Sequence, residues 1–74
     1  MKQKSIYSKE QEKLVSKLKK AREEAGFTQA QAAKKMQRTQ SYISKVESGQ
    51  LKIDIVEIKR FSNLYKKDIS YFIN

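Results

Sequence analysis

Ahead of three apolar-periodic runs in this chain a Ser, Thr or Asp stands three residues before a Gln or Glu: Ser8 before Gln11, Thr28 before Gln31, Asp54 before Glu57. At that spacing the first side chain accepts from a backbone N–H of the first helical turn, and the second reaches back to the first residue's own N–H, closing a helix N-terminus. Thr39 and Asp68 stand as further N-caps ahead of apolar runs. There is no proline, and the two glycines, Gly26 and Gly49, fall where helical periodicity ends. Many starts and few breakers leave little room for anything but short helices joined by tight stops.

The spacing predicts a first helix from Ser8 to about Ala25, with Leu14, Leu18, Ala21 and Ala25 on one face and Val15 at its border. Gly26 supplies the left-handed stop and Phe27 plugs the junction. The second helix opens at Thr28 and turns Ala32, Ala33 and Met36 inward; Gln37 and Arg38 form the break. The third runs from Thr39 to about Ser48 and is closed by Gly49. The fourth runs from Asp54 to about Tyr65, with Ile55, Ile58, Phe61 and Tyr65 inward and Leu64 at the edge. A last short helix behind Asp68 holds Ile69, Phe72 and Ile73. The expectation is an all-α domain of five helices over residues 8–74, preceded by a flexible basic arm at residues 1–7. No stretch alternates as a strand, and there is no internal repeat. The finish at Asn74, directly after the last helix, reads as the end of a complete chain.

Composition narrows the chemistry. Without His or Cys the usual metal ligands and general bases are missing, as are disulfides. Carboxylates or lysine could still catalyse, but no pair of acids across a cleft and no phosphate-cradling glycine loop is visible, so neither enzyme activity nor a cofactor is expected. No leader-like apolar run follows the basic N-terminus and no segment reaches membrane-spanning length, so a soluble, cytoplasmic protein is expected. Seventeen Lys and Arg against eight Asp and Glu give a net charge of +9. That excess points to a polyanion, with phosphate backbones foremost, although a lysine-rich proteome would give the same balance.

The arrangement of the third helix decides more. At about 100° per residue, Tyr42, Ile43 and Val46 share one arc, while Gln40, Ser41, Ser44 and Lys45 share the opposite one and can all donate hydrogen bonds. Taken alone, such a face is ordinary solvated surface. The preceding helix, however, offers alanines where the two meet, and the connection is about three residues long. A short turn backed by small residues makes the helices cross steeply, the geometry of a helix-turn-helix whose second helix enters the major groove.

On the runs KKAREEAGFTQAQAA, SYISKVESG and IDIVEIKRFSNLYKKDISYF, the chain resembles the phage-repressor and Cro-like helix-turn-helix proteins of the XRE family. The resemblance spans Leu14 to about Ile73, with Arg22, Gly26, Thr28, Gln29, Ala33, Ile43, Val46, Glu47 and Gly49 at the family's spacings. It implies that Gln29 bonds a DNA phosphate, that Gln40, Ser41, Ser44 and Lys45 reach base edges, and that the loop with Ser48, Gly49 and Lys52 grips the backbone. It also implies a partly buried ion pair between Arg22 and Glu47. Tyr42 reads as half core and half phosphate-reaching. Many relatives carry glycine where this chain has Gln37, which takes positive φ poorly, so a strained or reshaped turn is expected. Arg38 replaces a common apolar residue and adds a phosphate contact. Ala32 stands where leucine is frequent, leaving Phe27 or Tyr42 to fill the core there.

The implied function is sequence-specific transcriptional regulation. The expected partners are double-stranded DNA and a second copy of the chain, with Val56, Leu64, Tyr71 and Phe72 forming an apolar dimer patch. Restriction–modification controllers, Cro-like switches and antitoxin-type regulators all remain possible parallels, and a toxin or other protein partner stays open. The alternative is a protein-interaction module that turns the same basic face to an acidic partner or a membrane surface.

Overall fold

The computed structural model describes residues 9–73. These form five helices: α1 Lys9–Glu24, α2 Gln29–Met36, α3 Gln40–Glu47, α4 Ile55–Tyr65 and α5 Ile69–Ile73. The fold is all-α, and no helix among the described residues is long and apolar enough to cross a membrane. The basic arm and the Ser8 cap lie outside the described residues.

Local chemistry explains where the helices begin. Thr28 closes a complete capping box with Gln31, and Thr39 Oγ1 accepts from the Tyr42 N–H at 3.0 Å. The Asp54 box is only half formed. Asp54 Oδ1 accepts from the Glu57 N–H at 2.9 Å, but the Glu57 side chain turns inward to other donors. At α5, Asp68 Oδ2 accepts from the Ser70 N–H at 3.2 Å.

The helices end by one repeated device. A residue in the left-handed region lets the next N–H bond back five residues: Phe27 to Arg22, Arg38 to Ala33, Gln50 to Lys45 and Lys67 to Ser62. The left-handed residue is Gly26 or Gly49 in two cases, but Gln37 (φ 58°) and Lys66 (φ 59°) in the others. Gln37 therefore takes the conformation a glycine would have taken, and the turn keeps its shape.

Leu18, Ala21, Ala32, Ala33, Met36, Ile43, Val46, Ile58, Phe61, Tyr65 and Phe72 form one core. Ala32 is fully buried, and its small side chain lets α2 lie close to its neighbours. Phe27 sits half-buried beside the Tyr65 ring, at 6.3 Å between centroids. Four expected core positions move. Val15 is buried while Ala25, just past the end of α1, is exposed. Ile55 and Ile73 are 51% and 56% exposed; they are the first residue of α4 and the last of α5, where a helix end has fewer neighbours to cover it. Phe72 is buried and packs edge-on against Tyr71, so it belongs to the core and not to an external dimer patch.

Candidate nucleic-acid interface

Three residues, 37–39, connect α2 to α3, and these two helices share the most extensive contact in the fold. Ile43 and Val46 are completely buried beneath α3, while Gln40, Ser41, Ser44 and Lys45 are all exposed. The buried pair holds the helix down, and the four polar residues face away from it. Gly49 is buried and terminates α3. Beyond it, Ser48 Oγ donates to the Lys45 carbonyl at 3.2 Å and accepts from Gln50 Nε2 at 2.8 Å, and Lys52 is exposed.

Each end of α3 is secured by a charged cluster. At the C-terminal end, Arg22 donates through Nε to Glu47 Oε2 at 2.7 Å and through Nη2 to Oε1 at 3.0 Å. Its Nη1 donates to the Phe27 carbonyl at 2.8 Å. Gln29 Nε2 adds a bond to Glu47 Oε1 at 3.1 Å. Glu47 raises the Arg22 pKa, chiefly by hydrogen bonding and against the effect of burial. Gln29 therefore ties α2 to the ion pair. An amide nitrogen has two hydrogens, so a bond to Glu47 and one to phosphate are compatible.

At the N-terminal end the centre is Glu57, on α4. Its Oε2 accepts from the Tyr42 hydroxyl at 2.7 Å and from Arg38 Nε at 3.2 Å. Its Oε1 accepts from Arg38 Nη2 at 3.3 Å and from Arg60 Nη1 at 3.2 Å. Arg60 Nη2 reaches on to the carbonyl of Met36, the last residue of α2, at 2.8 Å. Burial by itself would push the Glu57 carboxyl up, but the hydrogen bonds from Arg38 and Tyr42 and the charges of Arg38 and Arg60 bring it below the ordinary range. Burial, then the bond to Glu57, raises the Tyr42 phenol.

These contacts alter two expectations. The Tyr42 hydroxyl, expected to reach phosphate, donates instead to a buried carboxylate. Arg38 is paired with the same carboxylate and lies over the Tyr42 ring, 5.1 Å from its centroid, yet its side chain stays 43% exposed. Val56 is exposed as expected for a contact surface, whereas Leu64 and Tyr71 are half-buried. Tyr71 lies beneath the ammonium groups of Lys17 and Lys67, at 5.7 and 4.9 Å. Glu57, which the sequence spacing assigns to the Asp54 cap, and Arg60, to which it assigns no role, both belong to this cluster. The available signal was a carboxylate next to Ile58 on the inner arc of α4, with two arginines that could reach it.

A closely packed helix pair with a three-residue connection, whose second helix exposes uncharged donors and a lysine, fits a helix-turn-helix DNA-binding module. The chain matches the helix-turn-helix family model over residues 18–72 and belongs to that family, in its XRE branch. The family's proteins are DNA-binding regulators. Searches of curated proteins and of solved structures found no significant match.

Proposed function

We propose that the chain is a sequence-specific transcriptional regulator that binds an inverted-repeat operator as a dimer, at its own or a neighbouring promoter. The observation that carries this is the division of α3: Ile43 and Val46 are wholly buried, and Gln40, Ser41, Ser44 and Lys45 are all turned outward. Glutamine can pair bidentately with adenine and lysine can reach guanine acceptors, so this face reads bases. Gln29, Arg38, Ser48 and Lys52 surround it as phosphate contacts that set register. The exposed Val56, with Ile55 beside it, is the apolar surface for the second copy. Two half-sites would then lie about 34 Å apart, one helical turn.

The test is a selection from random and genomic duplexes, followed by titrations at several salt concentrations. A palindromic motif is the expected result. Affinity should fall with salt at a log–log slope of about −0.9 per contacted phosphate. Replacing Gln40 and Lys45 should relax the motif, while replacing Gln29 should weaken all duplexes about equally. Equal affinity for every duplex would favour an acidic-protein partner instead.

A further inference from the structure

Glu57 carries none of the outward-facing donors and lies on a helix outside the helix-turn-helix, yet it touches more of the DNA-facing apparatus than any sequence motif suggested. Its side chain is 8% exposed. A buried carboxylate is weak evidence for stability, because a well-packed apolar residue in its place is often as good or better. What the carboxylate does provide is geometry. Its donors come from the turn (Arg38), from the first turn of α3 (Tyr42) and from α4 itself (Arg60), whose other nitrogen holds the end of α2. One group thus joins the end of α2, the connection and the start of the recognition helix.

We propose that Glu57 is a positioning residue for DNA recognition: it fixes Arg38 and Tyr42 so that the turn presents Arg38 to a phosphate and the first base-facing residues, Gln40 and Ser41, keep their register. The proposal rests on the DNA-binding reading above. Arg38 gives Nε and Nη2 to the carboxylate, and its plane lies on the Tyr42 ring. With its side chain 43% exposed, the guanidinium's remaining donors form the edge that meets the phosphate. Tyr42 serves as the platform, and its hydroxyl fixes the first turn of α3 to α4.

Charge and positioning predict opposite signs. Glu57→Gln raises the net positive charge by one, so a carboxylate acting only through its charge would, when removed, tighten binding to every duplex. A positioning role predicts a loss on the preferred sequence larger than any on random duplex, where the added positive charge offsets the weakened Arg38 phosphate contact. The experiment compares the full chain with Glu57→Gln and Tyr42→Phe, on the selected operator and on random duplex, at a temperature where circular dichroism shows each protein folded.

For Glu57→Gln we expect operator affinity to fall about tenfold and random-duplex affinity to hold or rise. The operator salt slope should shrink by about 0.9 as one phosphate contact is lost. Tyr42→Phe keeps ring and charge and should lose about threefold on the operator alone. If Glu57→Gln does not fold, Tyr42→Phe decides. An unchanged operator-to-random ratio in the folded variants overturns the proposal, as does a parallel rise on both duplexes. If the unaltered chain shows no sequence preference, the DNA-recognition reading itself fails and takes the proposal with it, an outcome separate from preference retained in the variants.

Discussion

The two ends of the recognition helix are held by the same type of contact in different surroundings. At the C-terminal end, both partners are inside: the Arg22 and Glu47 side chains are 10% and 5% exposed. At the N-terminal end only the acid is inside. Glu57 is 8% exposed, but Arg38 and Arg60 are 43% and 39% exposed. The first cluster is largely withdrawn from water and acts as a pin between α1 and α3. The second keeps its cations at the surface, where they can meet a phosphate. The difference teaches that a charge pair's effect on folding depends on what the survivor can do when its partner is lost.

The largest test of that contrast is Glu47→Ala. It strands the Arg22 guanidinium in the interior, and breaking such a pair costs about 3–5 kcal/mol. In a chain of 74 residues that is comparable to the whole stability expected of one small core. Urea and thermal melts followed by circular dichroism should show a largely unfolded protein at room temperature. Glu57→Ala should cost less, about 1–3 kcal/mol, because Arg38 and Arg60 can turn to water and the main casualty is the Tyr42 hydroxyl. Equal losses in the two variants would break the comparison.

Acid should sharpen it. In the folded chain the Glu57 carboxyl titrates below its ordinary 4.5, so the folded state holds fewer protons there than the unfolded state does. Its contribution is complete above about pH 4.5 and is lost as pH falls through the folded value. Melts of the unaltered chain and of Glu57→Gln, taken downward from about pH 6, should therefore draw closer as the carboxyl is protonated. A gap that stayed constant with pH would show that the carboxylate's charge is not what stabilises the N-terminal cluster.

How far the sequence reveals these features depends on their range. The caps at Thr28 and Thr39 involve residues three apart, so their chemistry is visible in the string itself. The Arg22–Glu47 contact bridges 25 residues and was anticipated only through family resemblance. Glu57 misled for a definite reason. Its spacing from Asp54 fits a capping box, and the backbone half of that box is present, so a local reading assigns the side chain before its partners 15 and 19 residues away are considered. Ile55 and Ile73 show the other limit. Periodicity gives the direction of a side chain but not how far along the helix the neighbouring core extends, and both stand at helix ends and are exposed.

The smallest expected effect concerns the turn beside Glu57. Gln37 has φ 58° and ψ 43°, a left-handed conformation that costs a residue with a Cβ about 1–2 kcal/mol. Gly26 makes the same stop at the end of α1, at φ 84°, with no atom beyond its own chain neighbours within 4 Å of where a Cβ would be. Gly26→Ala therefore meets only the backbone penalty and should destabilise by about 1 kcal/mol. Gln37→Gly should do the reverse: it relieves that penalty but gives back some of it through the freer unfolded chain, leaving a gain of under about 1 kcal/mol. Arg38 still bonds back to Ala33 across this turn, at 2.8 Å, and remains anchored to Glu57, so the gain should come without loss of operator preference. If Gln37→Gly stabilises the fold but weakens operator binding, the glutamine's stiffness at the turn contributes to holding the N-terminal end of α3, and that end depends on more than its carboxylate.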